Sequence, residues 1–178
     1  MKKQWWIPIF VVTFFCLESL FANFFPSKLF SNYWIIVPRF LFLYLIFMTV
    51  YYDSKKGIIY GAIIGLVMDI VFTGILGIYL LWYPVVIYLV SKLMKFWHSN
   101  LFIMAIVSLL AIILTEFGIY GIFSLLQIAT IPVKYFTNHR LIPTLILNFI
   151  FYLFFSYSMK NYFLQLRKLK EEEGMFQS

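Results

Sequence analysis

The sequence predicts an all-α integral membrane protein, a bundle of about six transmembrane helices, on three observations. Of its 178 residues, 63% are hydrophobic and only 12% are charged, whereas a soluble domain carries about 25% charged residues. Mean hydropathy is +0.93. The apolar residues gather into runs near the ~20 residues that a helix needs to cross ~30 Å of hydrocarbon. There is too little charge to cover a globular surface, and disorder would need the opposite composition. A net charge of +7 could suggest nucleic acid. However, the cations sit in short loops between apolar runs and form no patch on a folded face. Charges placed that way set the orientation of a membrane protein.

The runs give six spans in a single polytopic domain, at about 5–25, 35–52, 57–72, 78–93, 101–126 and 141–163. The first, from Trp5 to Phe25, follows Lys2 and Lys3 and imitates a secretory signal. Its apolar region is too long, and no small-x-small cleavage site appears near Ala22, so it reads as an uncleaved helix. The second runs from Ile35 to Tyr52 and the third from Gly57 to Phe72. The third and fourth are short and joined by a tight turn from Thr73 to Gly77, so one re-entrant hairpin is an alternative. The fifth fades between Leu126 and Ile131, and a loop from Pro132 to Arg140 leads into the sixth. Residues 164–178 form a basic, then acidic, tail that stops the span or docks a partner. Trp5, Trp6, Trp34 and Trp82 fall near span ends, as an aromatic belt expects.

Six spans place Lys2, Lys3, Lys55, Lys56, Lys92, Lys95, Lys160, Arg167, Lys168 and Lys170 on one side. The other side has Lys28, Arg39, Lys134 and Arg140. That bias predicts a cytoplasmic membrane protein with both termini in the cytoplasm.

Within the third span, Gly57, Gly61, Gly65 and Asp69 recur at four-residue spacing and form one stripe along a helix. Small residues so placed let another helix backbone approach closely. Ionisable residues inside spans are costly and become functional candidates. Glu18, Asp69 and Glu116 lie roughly 20, 18 and 22 Å along their helices at ~1.5 Å per residue, in the outer half of the membrane. Arg39 sits at a similar level. The expectation is that one of the three acids pairs with Arg39 in an outward-facing polar pocket. Equally open is a purely structural pair with the other acids protonated or reaching headgroups. His98 and His139 fall on opposite faces and predict no shared metal. Zinc, nucleophile-elbow and phosphate-loop motifs do not occur, so neither an enzyme nor a cofactor is expected. Cys16 lies in an apolar run and has no second cysteine to pair with.

The stretch GIIYGAIIGLVMDIVFTGILGIYLLWYPVVIYL, from Gly57 to Leu89, resembles the rod shape-determining MreD family of bacteria. That family has a helix with spaced glycines and a late aspartate, a glycine turn and an aromatic-rich helix. The resemblance implies a noncatalytic subunit of the complex that elongates the lateral cell wall. It carries Gly57, Gly61, Gly65, Asp69, Gly74 and Gly77 over as the signature positions. The implied partners are MreC, the filament MreB, the polymerase RodA and its transpeptidase partner. A second reading is a substrate-binding subunit of an energy-coupling-factor vitamin transporter, whose fold the MreD family is said to share. Such subunits line their first helix with small residues for docking. Here that helix is rich in Phe and Trp, with Ala22 its only alanine.

Overall fold

The computed structural model describes residues 5–24, 34–97, 100–128 and 131–175. Lys2, Lys3, Phe25, Lys28 and His98, which enter the span and charge readings, lie outside the described residues. Among the described residues there are six helices. They are α1 (Trp6–Phe24), α2 (Phe40–Tyr51), α3 (Ser54–Met68, continued by a π-helical segment Asp69–Thr73), α4 (Ile78–Phe96), α5 (Leu101–Leu125) and α6. The last, α6, has three consecutive segments: Val133–Phe136, a π-helical stretch Thr137–Leu141, and Ile142–Met175. Four of the six, α3 to α6, are long and apolar enough to cross a membrane.

The helix α2 is the axis of the bundle. Ten of its 12 residues are buried, although at ~1.5 Å per residue it is too short to cross hydrocarbon alone. It packs against α1, α3, α4 and α6. The sequence reading has this span running from Ile35, but residues 34–39 are not helical and the helix begins at Phe40. Pro38 supplies the reason, because a proline drives the preceding residue out of the helical region and cannot donate its own N–H.

Backbone that is neither helix nor sheet survives at membrane depth only where protein satisfies it. Here α6 does so. The Thr144 hydroxyl accepts from Val37 N–H at 3.1 Å, and Asn148 accepts from Arg39 N–H at 2.8 Å while donating to the Val37 carbonyl at 3.0 Å. The His139 carbonyl accepts from Ile35 N–H at 2.8 Å. The residue four positions on, Pro143, has no N–H to offer that carbonyl. The segment from Val133 to Arg140, expected as loop, is therefore the first part of α6. Pro132 caps it, and Tyr120 stacks on Phe136 at 4.3 Å while donating its hydroxyl to the Ile131 carbonyl at 2.6 Å.

The glycine stripe faces inward. A Cβ at Gly57 would collide with Thr49 of α2, one at Gly61 with Ile87 of α4, and one at Gly65 with the backbone carbonyl of Tyr79. All three contacts fall within the chain, so the stripe holds α3 against α2 and α4. At the opposite end of the bundle Asp53 caps α3, accepting from Lys55 and Lys56 N–H at 2.9 and 3.2 Å. Lys170 of α6 also reaches Asp53, which ties the far part of the last helix to the α2–α3 turn.

Candidate functional site: a buried polar cluster

Glu18, Arg39, Asp69 and Glu116 are all at least 96% buried, with relative exposures of 4%, 3%, 0% and 1%. A buried charge in apolar surroundings has to find its own partners, and each of these does so differently.

Glu116 is the acid that contacts Arg39. Its Oε1 accepts from Arg39 Nε at 2.8 Å and from Nη2 at 2.6 Å. The remaining donors of Arg39 reach the Tyr83 hydroxyl at 2.9 Å through Nη1 and the Tyr79 hydroxyl at 3.1 Å through Nη2. On the other side of the carboxylate, Oε2 accepts from Arg140 Nε at 3.1 Å. A two-nitrogen clamp on a carboxylate fixes both position and orientation. The cluster therefore joins the non-helical segment before α2 to α4, α5 and α6.

Glu18 and Asp69 do not pair with Arg39 by hydrogen bond or ion pair. Glu18 Oε1 accepts from Leu41 N–H at 2.7 Å, at the first turn of α2. Asp69 accepts from three N–H groups at the start of α4: Gly77 at 2.8 Å, Tyr79 at 2.8 Å and Leu80 at 3.1 Å. Both acids thus occupy helix N-termini. There the unpaired N–H groups and the helix dipole stabilise an anion. Arg39 N–H itself is held by Asn148, so the two helices that begin inside the bundle, α2 and α4, have their first donors taken up by side chains from elsewhere.

The turn that lets Asp69 reach α4 depends on backbone geometry. Gly74 and Gly77 have φ of +68° and +108°, a region glycine enters without the steric cost of a side chain. The π-helical segment Asp69–Thr73 adds a residue to the last turn of α3, as π-bulges do. The Thr73 hydroxyl donates to the Asp69 carbonyl at 3.0 Å.

Two cavities border the cluster. One, of about 290 Å³, is lined by Glu18, Arg39, Phe72, Tyr79, Phe123 and Arg140, among others. A smaller one, of about 110 Å³, has Glu116, Tyr120, His139 and Arg140 in its wall. Among the described residues no three His, Cys, Asp or Glu side chains come close enough to hold a metal ion.

The family model for rod shape-determining protein MreD matches residues 3–166, nearly the whole chain. The chain belongs to the MreD family. It is 32% identical over 171 residues to the rod shape-determining protein MreD of Bacillus subtilis (strain 168), covering 96% of this chain and 99% of that protein. It is 27% identical over 158 residues to the cell shape-determining protein MreD of Streptococcus pneumoniae (strain ATCC BAA-255 / R6), covering 89% and 93%. No solved structure matches with significance. Family and helices together make this a membrane protein of the MreD type.

In this MreD-family chain, sequence reasoning singled out the acids and Arg39 but missed most of what holds them. Tyr79, Tyr83, Thr144 and Asn148 are neutral and do not stand out in a search for ionisable groups. Asn148 offers a usable signal, since a carboxamide in the middle of an apolar run is costly unless bonded. Arg140 was read only as an orienting charge. Gly118 was passed over, yet a Cβ there would collide with the Trp82 ring. Trp82, expected at an interface, lies against α5 and donates to the Leu114 carbonyl at 3.3 Å.

Proposed function

We propose that this chain is a noncatalytic membrane subunit of the bacterial cell-wall elongation machinery and helps maintain rod shape by contacts in the membrane plane. The observation that carries this reading is the family match over residues 3–166, together with relatives named for rod or cell shape. The geometry supports it. The buried acids satisfy helix ends and arginines of the same chain, an arrangement that builds a fixed scaffold. The glycine stripe is filled by the chain's own α2 and α4, so partners have to meet other faces. One such face is on α1, where Trp6, Ile9, Val12, Leu17 and Leu20 are exposed.

MreC is the principal partner in this reading, with MreB, RodA and its transpeptidase as further members of the assembly. Both termini lie in the cytoplasm, on the side of Lys55, Lys56, Lys95 and Lys170. A mild-detergent pull-down of the tagged full chain from its native host tests the proposal. Co-purification of MreC or the wall-synthase pair is expected. Recovery of a transmembrane coupling subunit with its ATPases would overturn the reading in favour of a vitamin-transporter subunit.

A further inference from the structure

Counting hydrogen-bond donors and acceptors inside the cluster leaves one group over. Glu18 is engaged by Leu41 N–H, Asp69 by three N–H groups of α4, and Glu116 by the two-nitrogen clamp of Arg39. Arg39 has an acceptor for each of its three nitrogens. Arg140 differs. Its Nε shares Glu116 with Arg39, and its guanidinium lies 6.0 Å from the centre of the Phe136 ring. Among the described residues its Nη1 and Nη2 have no acceptor. One carboxylate thus serves two guanidiniums, and the second keeps its outer fork free.

Arg140 lines the 290 Å³ cavity and also the smaller one of about 110 Å³. The Arg140 side chain is 32% exposed, against 1% for Glu116, so the guanidinium side of the pair is the accessible one. Much of the remaining wall of the larger cavity is apolar, contributed by Val37, Pro38, Met68, Phe72 and Phe123. Glu18 is the carboxylate among the lining residues, and the N-terminus of α2 already engages it. A guanidinium with an unfilled fork beside an apolar wall suits an amphiphile with an anionic head. The planar fork of arginine matches the oxygens of a phosphate. The volume is at the low end for a ligand pocket and accommodates a headgroup with its first carbons, leaving the tails to the bilayer.

We propose that Arg140 and this cavity form a binding site for the phosphate headgroup of an anionic phospholipid. The phosphate sits on Nη1 and Nη2 of Arg140, and the glycerol and first acyl carbons lie against Phe72, Phe123 and Val37. Inorganic phosphate from the aqueous phase offers the same oxygens without the apolar part, and the test separates the two. The inference does not depend on the partners proposed above, since it concerns the purified chain.

Native mass spectrometry of the full-length protein released from detergent, with phosphatidylglycerol, phosphatidylcholine or inorganic phosphate as probe, decides it. The wild-type chain is expected to retain phosphatidylglycerol over phosphatidylcholine, and Arg140→Gln to weaken that retention about tenfold. Arg167→Gln, at the opposite end of the bundle and paired with Glu171, is expected to leave it unchanged. Circular dichroism checks folding. If Arg140→Gln fails to fold, Arg140→Lys keeps the charge without the fork and is expected to lose several-fold. Equal retention by wild type and the Arg140 variant would overturn the site, as would equal loss in Arg167→Gln. Displacement of phosphatidylglycerol by millimolar inorganic phosphate would overturn its assignment to lipid.

Discussion

The α3–α4 hairpin and the Arg39–Glu116–Arg140 cluster solve the same problem over very different distances along the chain. In the hairpin, Asp69 reaches N–H groups only eight to 11 residues away, and the glycines that allow the approach lie in the same stretch. In the cluster, Arg39 meets Glu116 across 77 residues and Asn148 across 109. The hairpin is a local device that its own residues specify. The cluster exists only once four elements have come together, so it works as a lock on the assembled bundle. The lesson is that charged residues of similar depth in one membrane protein need not form one site.

That contrast yields a ranking of expected losses, read as unfolding free energy in mild detergent. The largest belongs to Glu116→Ala, which leaves Arg39 buried without its carboxylate and is expected to cost about 3–5 kcal/mol. Next comes Gly65→Ala, expected to cost about 1–3 kcal/mol because the obstacle is the Tyr79 backbone and cannot rotate away. Gly121→Ala is its control: nothing lies within 4 Å of that Cβ, and a change within about 0.5 kcal/mol is expected. Equal effects at the two glycines would break the claim that the stripe packs internally. Asp69→Asn keeps one acceptor oxygen for three N–H groups and is expected to cost about 1–2 kcal/mol.

The smallest effect is expected at the other end, where Asp53 and Lys170 meet. Burial pushes the Asp53 carboxyl up, but its hydrogen bonds from Lys170 and from the Lys56 and Lys55 N–H groups hold it below its usual value. The hydrogen bond to Asp53 raises the Lys170 ammonium. A depressed carboxylate contributes stability that is present above its unfolded pKa of about 3.9 and is lost as pH falls through the lower folded value. A raised lysine contributes below about 10.4 and loses that contribution as pH rises through its folded value. Lys170 is 48% exposed, so solvent screening limits the pair to about 0–1 kcal/mol. Lys170→Ala should flatten the acid limb of a stability–pH profile by that amount and remove its salt dependence.

The same division explains what could be read beforehand. The helical membrane class followed from composition and run length, because lipid imposes both on every segment. Gly57, Gly61, Gly65 and Asp69 announced themselves because a four-residue period is visible along a single helix. Which acid meets Arg39 was not legible, since nothing in the sequence around residue 39 refers to residue 116. The truncation of α2 was signalled by Pro38, but apolar residues on both sides of it outweighed that signal. The early start of α6 was hidden by Thr137, Asn138, His139 and Arg140, whose polarity reads as loop. In the structure the Thr137 hydroxyl returns to the Val133 carbonyl at 2.9 Å, and Arg140 turns toward Glu116.

The central claim is that Arg39 and Glu116 act as one lock on the assembled bundle, and a double-mutant cycle tests it most directly. Unfolding free energies would be measured for wild type, Arg39→Leu, Glu116→Leu and the double variant. The account predicts that the double variant loses less than the sum of the singles by more than about 1 kcal/mol, because Glu116→Leu leaves Arg39 buried without its carboxylate and Arg39→Leu leaves Glu116 with Arg140 as its remaining cation. Losses that add within about 0.5 kcal/mol would show that the two residues act independently and would contradict it.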